Sequence, residues 1–299
     1  MMTDSDFSKG GGKGRKLKEM RFKKRASALI FHLLIIAFGF SMLYPLLWML
    51  MASFKSNQEI FAGVNFFPKA PTLSNYASGL KGVSGYSFFK FIGNSFLLAA
   101  ACIIGNIVSC SMAAFAFAKL EFRLNKILFS VMMLTLMLPF HVRLIPQYIV
   151  FNKIGWVDTY LPLIIPKFFA TEGFFIFMLT QFMRGISNEL LEAPRIDGCS
   201  TWKLFINFII PLSLPGLMTV AVFTFIWTWN DFFSQMIYLS NPSRFTVAVA
   251  LRMFVDATGQ STWGALFAMS CVSLIPLFAF FVGFQRYLIE GIAAGGVKG

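Results

Sequence analysis

A stripe of polar side chains follows one of the apolar stretches of the chain. Thr224, Thr228, Asp231 and Gln235 fall at helical spacing, so they share one face of a helix, and Trp227 lies beside them. Hydroxyl, carboxylate and indole groups are suited to hydrogen bonding with sugars and to stacking on them. The stripe therefore predicts a polar path for a solute, and the alternative is that these groups only bond neighbouring helices.

A carboxylate and an amide in two other apolar stretches are further candidates for this path. Glu172 lies near the middle of its stretch, where an unpaired charge costs at least ~2.5 kcal/mol, so we expect its side chain to face the protein interior. Asn94 is a weaker candidate. No basic residue is expected at the same depth, which argues against a strongly anionic solute. The predicted path residues are Asn94, Glu172, Thr224, Trp227, Thr228 and Asp231.

Motifs of catalysis are missing from the sequence. It has no HExxH, GxSxG, paired Cys-x-x-Cys or ATP-binding loop, and no Ser or Thr follows Gly-Lys in its glycine-rich amino terminus. Its four cysteines are scattered, without the spacing of metal ligands or of a disulfide framework. We therefore expect no catalytic, cofactor or metal site, and we do not expect the chain to be an enzyme by itself.

The composition is that of an integral membrane protein surrounded by lipid. Of 299 residues, 57% are hydrophobic and 13% charged, and the mean hydropathy is +0.69. The net charge of +13 could suggest a nucleic-acid partner, but nine of the 26 Lys and Arg residues precede Ala26. This clustering is typical of a topology signal, so no nucleic acid is expected.

The apolar stretches predict an all-α protein with six membrane spans. Each is close to the roughly 20 residues that a span requires. They cover about 26–52, 88–118, 124–146, 160–183, 206–231 and 264–285, with Pro139 able to kink or end the third. The distribution of Lys and Arg places both termini in the cytoplasm. The predicted domains are a basic disordered cytoplasmic tail (1–25), a six-span domain (26–285) and a cytoplasmic carboxyl tail (286–299).

A polar segment from Ser187 to Pro215 separates the fourth and fifth predicted spans. Ser187 is a candidate N-cap of a short helix, which Pro194 is expected to strain or end. Gly198 can then supply a positive φ, and Ser200 can cap the next helix. The segment therefore predicts a helix, a sharp turn and a second helix at a membrane surface.

The order of residues in this segment resembles the EAA loop of the membrane subunits of ABC importers. Glu192, Ala193, Gly198 and Pro211 match its pattern, whereas Pro194 replaces the second Ala. Phe208 and Ile210 replace the Ile and Leu. The resemblance implies that the first helix is a coupling helix that seats on an ATPase. The residues implied in this contact are Glu192, Ala193, Arg195, Asp197 and Gly198.

Three further segments resemble sugar permeases of the maltose-transporter kind. They are FFPKAPTLSNY from Phe66, FIWTWNDFF from Phe225 and FQRYLIEGIAAGGVKG from Phe284. The resemblance implies a subunit that lines half of a path for a sugar, predicted to be an oligosaccharide, in a bacterial cytoplasmic membrane. It also implies a second, different permease subunit, an ATPase dimer that holds ATP and Mg, and an extracytoplasmic solute-binding protein.

The resemblance further places the solute-binding protein against the outer segment 240–262. The polar candidates for this contact are Asn241, Arg244, Asp256 and Gln260. The alternative for this segment is a solvated loop that touches nothing.

Two other classes of protein remain open from the residues alone. A proton- or ion-coupled carrier could use Glu172 as a titratable group at membrane depth. A structural or enzyme-anchoring membrane protein would need no path at all. Co-isolation of an ATPase whose hydrolysis depends on this subunit separates the first hypothesis from both.

Overall fold

Helices make up nearly all of the computed structural model, which describes residues 10–63, 65–255 and 262–296. Within those ranges the one β feature is an isolated bridge between Val83 and Tyr86. The prediction of an all-α membrane protein is therefore confirmed. The α-helices are α1 (Gly10–Ala52), α2 (Asn57–Ala62), α3 (Ser74–Lys81), α4 (Phe88–Lys119), α5 (Asn125–Leu136), α6 (Phe140–Lys153), α7 (Leu161–Ile164), α8 (Gly173–Arg184), α9 (Glu189–Ile196), α10 (Thr201–Leu204), α11 (Ile210–Leu212), α12 (Leu214–Asn230), α13 (Phe233–Tyr238), α14 (Val247–Met253) and α15 (Trp263–Gly296). Two 3-10 turns (Ile165–Phe169 and Pro242–Arg244) and a π-helical turn (Phe205–Ile209) complete them.

Four segments are long and apolar enough to cross a membrane, and the number rises to six if each of two bent helix pairs makes one crossing. The four are Ala28–Ala52, Phe88–Lys119, Leu161–Arg184 and Trp263–Tyr287. They coincide with four of the predicted spans. The bent pairs occupy the positions of the other two, so the predicted count of six corresponds to the upper number.

Prolines accompany both bends. At Pro139 the axes of α5 and α6 differ by 100°, as expected for a residue that cannot continue a helix. The second bend was not predicted. The segment Thr201–Leu212 meets α12 at 75°, with Ser213 between Pro211 and Pro215. The predicted span 206–231 therefore corresponds to a bent helix pair and not to one straight helix, because the straight helix begins only at Leu214.

Helix α4 packs against α8 on one side and α12 on another, and α12 packs in turn against α15. Two clusters of buried apolar side chains fill these contacts. One surrounds Phe88, Leu98 and Trp229, and the other surrounds Phe175 and Leu204. Close packing of this kind holds membrane helices together, because lipid is as apolar as the side chains themselves. The bundle thus gives α8 and α12 fixed positions around α4.

Helix α1 lies at the outside of this bundle. None of the most apolar part of Ala28–Ala52 is buried within the chain. The helix begins at Gly10, inside the segment predicted to be a disordered tail, so prediction and structure differ over 10–25.

Candidate functional site

A cavity of about 610 Å³ opens between α4, α6, α12, α13 and the broken segment 161–172. Its lining is mixed, with apolar walls and several groups that carry charge. The charged side chains in the wall are Arg143, Lys167, Glu172 and Asp231. Clefts with mostly apolar walls and a few polar groups are the usual form of small-molecule sites, so this cavity is the candidate path for a solute.

The segment before α8 is broken, and the break exposes charged groups to the cavity. The 3-10 turn Ile165–Phe169 ends at Ala170, whose φ of +53° is in the left-handed region. Glu172 therefore lies within the segment Leu161–Arg184, as predicted, but at a break in its helical path, as the residue before α8. The break places the Glu172 carboxylate beside the Lys167 ammonium, and the two form an ion pair.

The ion pair corrects the prediction that no basic residue lies at this depth. The side chains of Lys167 and Glu172 are 27% and 28% exposed, so both are withdrawn from bulk solvent. Ser109 of α4 donates a 2.6 Å hydrogen bond to the carbonyl of Lys167, which fixes the turn against α4. Sequence alone did not indicate this lysine, because it cannot show which carboxylate compensates a lysine within a span.

Arg143 and Gln147 of α6 are cavity residues that the sequence analysis missed. The guanidinium Nε of Arg143 is buried, and no hydrogen-bond partner for it lies among the described residues. The bend at Pro139 turns α6 towards the cavity. The sequence held one indication of this role of α6, which is that Arg143 follows Pro139 closely within a predicted span.

The predicted stripe on the fifth span is interrupted at the cavity. Helix α12 ends at Asn230, and Asp231 has an extended conformation, so Gln235 belongs to the separate helix α13. The Asp231 carboxylate accepts a 3.0 Å hydrogen bond from the backbone N–H of Ser234. Gln235 is buried and donates to the carbonyl of Thr228. Asp231 and Thr228 line the cavity, but they are not on one continuous helix with Gln235.

Trp227 lines the same cavity and is held by aromatic neighbours. Its indole stacks on the ring of Phe175, with centroids 4.9 Å apart and an angle of 17° between planes. The side chain nevertheless remains 45% exposed. The indole thus has a fixed orientation and an accessible surface, as stacking on a solute requires.

Thr224 and Asn94 do not line the cavity. The Thr224 hydroxyl, 2% exposed, accepts a 3.0 Å hydrogen bond from the amide of Asn106 on α4. The Asn94 amide donates to the carbonyls of Ser243 and Phe245, at 3.0 and 2.8 Å. Both residues therefore tie helices and loops together, which was the alternative that the sequence left open.

A helix, turn and helix form at the other candidate site, as predicted for the segment after Ser187. The Ser187 hydroxyl accepts a hydrogen bond from the N–H of Glu189, and Ser200 caps α10 by accepting from the N–H of Lys203. Gly198 has a φ of +78°. Ser200 and Gly198 therefore have the cap and turn roles that the local sequence indicated. The prediction for Ser187 is wrong by one residue, because the N-cap of α9 is Asn188, whose side chain makes no capping hydrogen bond.

Pro194 does not end α9, which was one of the two effects expected of it. The helix continues to Ile196, and the carbonyl of Pro194 accepts a 2.9 Å hydrogen bond from the N–H of Cys199. The N–H of Gly198 donates to the carbonyl of Arg195, which completes a Schellman motif. The proline leaves only the Leu190 carbonyl without its helical partner. That residue is 58% exposed, so the loss costs little.

Helix α9 is fixed to the bundle by a single buried side chain. Leu191 is 1% exposed and packs in the same cluster as Leu204. The apolar residue Ile196 is 85% exposed. The predicted coupling residues are all exposed, namely Glu192, Ala193, Arg195, Asp197 and Gly198. The helix therefore presents a largely free surface at one end of the bundle.

The outer candidates Asn241 and Arg244 make contacts within the chain. Arg244 pairs with the Asp158 carboxylate at 2.7 Å, and the backbone N–H groups of Ser240 and Asn241 donate to the same carboxylate. Partial burial alone would raise the pKa of Asp158, but these two hydrogen bonds and the positive charge of Arg244 outweigh it, so the pKa is lowered. The other two candidates, Asp256 and Gln260, lie outside the described residues.

A helical membrane chain with a polar cavity between its helices and an exposed helix-turn-helix at one end has the features of a transport permease. The chain belongs to the family described as "Binding-protein-dependent transport system inner membrane component", which matches residues 105–293. Members of this family are transport subunits and not enzymes.

Relatives and a solved structure agree with this assignment. The chain is 37% identical to a putative ABC transporter permease protein of Caldicellulosiruptor sp., over 85% of this chain and 91% of the relative. It is 30% identical to the arabinooligosaccharides transport system permease protein of Halalkalibacterium halodurans, over 93% of this chain and 100% of the relative. A chain of a bacterial ABC transporter involved in the import of alginate superimposes with a TM-score of 0.78 at 21% identity, covering 89% of this chain and 97% of that one. This last likeness supports the fold alone.

Proposed function

We propose that this chain forms half of the membrane path of a bacterial ABC importer for a sugar, and that α9 is its coupling helix. The observation that carries the proposal is the exposure of α9, which keeps one buried anchor, Leu191, and a glycine-closed end at Gly198. A helix held in this way can seat in a groove of another subunit without leaving the bundle. Family membership supports the assignment of the chain as a transport permease. The exposed surface of α9 supports the assignment of this helix as the contact with the ATPase.

The cavity supports the assignment of a polar solute. The Glu172 and Asp231 carboxylates can accept hydrogen bonds from sugar hydroxyl groups, and the fixed indole of Trp227 can stack on the apolar face of a sugar ring. A relative of 30% identity is named for transport of arabinooligosaccharides. We therefore propose an oligosaccharide as the substrate. Proton coupling through Glu172 is less favoured, because Lys167 already compensates its charge.

The remaining partners follow from the same proposal. A second, different permease subunit completes the path, an ATPase dimer binds ATP and Mg beneath α9, and an extracytoplasmic solute-binding protein delivers the sugar. A solved alginate ABC transporter is described in complex with a periplasmic protein, which is an example of such delivery. The membrane is then the bacterial cytoplasmic membrane, with α9 and both termini on the cytoplasmic side.

Reconstitution with an ATPase tests the proposal. The chain is co-expressed with its second permease and ATPase, purified, and placed in liposomes with the solute-binding protein. We expect ATP hydrolysis to rise when loaded binding protein is added and sugar uptake to accompany it. Glu192→Lys should abolish both while the complex remains inserted, and Glu192→Gln should lose less, because it does not reverse the charge. If no ATPase co-isolates with the wild-type chain, the proposal is wrong.

A further inference from the structure

A second cavity, of about 890 Å³, lies at the end of the bundle that holds α9, and the solute path does not account for it. Its wall combines the end of α4, the link to α5, the start of α5, the end of α8 and part of α9. Five cationic side chains line it, and Glu121 is the one carboxylate among its lining residues. The cations are Lys119, Arg123, Lys126, Arg184 and Arg195.

Two of the five cations have partners, and these partners fix the walls of the cavity. The Lys119 ammonium donates to the carbonyl of Ile186 and to the Asn188 side chain, at 2.6 and 2.8 Å. The Arg184 guanidinium lies over the ring of Phe129, 5.1 Å from its centroid. The positive charges of Lys119 and Arg184 are not compensated by these contacts, because neither contact involves a carboxylate.

The other three cations are free to bind. Among the side chains described between 28 and 287, none pairs with Arg123, Lys126 or Arg195 in a hydrogen bond or an ion pair. All three are exposed. Helix α5 also begins at this cavity without a side-chain cap, so the positive end of its dipole adds to the same potential. The cavity therefore attracts an anion with several oxygen atoms.

The surface next to these charges is apolar. Beyond Lys126, α5 presents Ile127, Leu128 and Val131 with exposures of 60%, 46% and 52%. Leu134, one further turn along, is 62% exposed. From Ile127 to Leu134 the helix rises about 10 Å, which is a substantial part of one leaflet's hydrocarbon depth. An apolar strip thus leads from the basic cavity into the membrane.

We propose that this cavity binds the phosphate of an anionic phospholipid headgroup, with the acyl chains of the lipid along the exposed face of α5. Phosphate oxygens can accept hydrogen bonds from the free cations. A soluble anion would make no use of the exposed apolar side chains of α5, whereas the acyl chains of a lipid would cover them. Basic pockets between helix ends at the cytoplasmic surface are suited to such headgroups. Because Arg195 belongs to α9, the bound lipid connects the ends of α4 and α5 with the helix that meets the ATPase.

The test compares lipid binding by the full chain and by two matched double variants. Nanodiscs are prepared with phosphatidylglycerol in phosphatidylcholine, and the retained lipid is counted by native mass spectrometry after detergent extraction. Arg123→Gln with Lys126→Gln should weaken phosphatidylglycerol retention about 25-fold, at about fivefold for each charge removed. Lys69→Gln with Lys153→Gln removes the same charge from exposed sites outside the cavity and should leave retention unchanged.

Three results would overturn the proposal. One is an equal loss in both double variants, since this would indicate general surface charge. Another is competition by soluble glycerol phosphate as effective as that by the lipid, since this would indicate a free-anion site. The third is unchanged retention with loss of the co-purified ATPase, since the cations would then meet an acidic protein surface. Should the variant fail to fold, photoactivatable phosphatidylglycerol is crosslinked to the wild-type chain, where label must fall within 117–131.

Discussion

Lys167 and Glu172 form an ion pair across Ala170, the left-handed residue at which the segment before α8 breaks. The pair joins the two sides of the break and lies in the wall of the candidate solute cavity. It therefore has two separable effects. One is on the local conformation of the break, and the other is on what the cavity binds.

Glu172→Gln should affect both the conformation of the break before α8 and the binding of solute in the cavity. Loss of the carboxylate leaves the Lys167 ammonium without its partner in a site less than a third exposed, which costs about 1.5–3 kcal/mol of stability. We expect a lower unfolding temperature and altered sugar preference in uptake assays. Lys167→Gln with Glu172→Gln is the control, because it removes both charges and should recover part of the stability. Asp231→Asn should change preference with a smaller effect on stability. Wild-type uptake in both Glu172→Gln and Asp231→Asn would remove these residues from the path.

Gly198 is expected to tolerate a side chain by volume but not by backbone conformation. A Cβ built there has nothing within 4 Å, yet the φ of +78° costs a residue such as Val roughly 1–2 kcal/mol. Gly198→Val should therefore displace the end of α9 and reduce the stimulation of ATP hydrolysis by loaded binding protein. Gly198→Asn is the matched control, since Asn adopts this region more readily. Equal stimulation of ATP hydrolysis by loaded binding protein in the two variants would show that the turn is not needed for coupling.

Asp158 should make stability depend on pH at the acidic end. Its pKa is lower in the folded chain than in the unfolded one, so its contribution is complete above the unfolded value, about 3.9, and is lost as the pH falls through the folded value. At neutral pH, Asp158→Asn should unfold at a lower temperature than wild type. The difference should shrink below about pH 4. Arg244→Gln should give the same trend, and a difference independent of pH would contradict the assignment.

Local sequence predicted the elements that depend on local chemistry. Gly198 and Ser200 were identified because a positive φ and an N-cap are requirements of single residues. The ion pair of Lys167 was not predicted because it depends on a break at Ala170, and alanine gives no sequence indication of a left-handed conformation. Side-chain contacts such as that between Thr224 and Asn106 depend on how helices pack, which helical spacing within one segment cannot show.

The outer loop gives a prediction about delivery of the solute. Asn241 and Arg244 are held by Asp158, so a contact with the solute-binding protein would use a preformed surface. We expect crosslinks to this protein from cysteines placed at Asn241 and Asp256. Lys153 at the end of α6 offers a control position in a different segment that the predicted topology places outside. Absence of any crosslink along 240–262 would favour a solvated loop.

The last prediction concerns the side of the membrane on which α9 lies. The distribution of Lys and Arg predicts that Asp197 lies in the cytoplasm and Asn241 outside, and the proposed docking on an ATPase requires the same arrangement. In a Cys199→Ser background, a cysteine at Asn241 should react with an impermeant maleimide in intact cells. A cysteine at Asp197 should react only after the membrane is opened, because the reagent otherwise cannot reach it. The native Cys199 must be removed because it is half-buried beside Asp197 and could itself be labelled. Labelling of Asp197 from outside would exclude an ATPase contact and, with it, the proposed coupling role of α9.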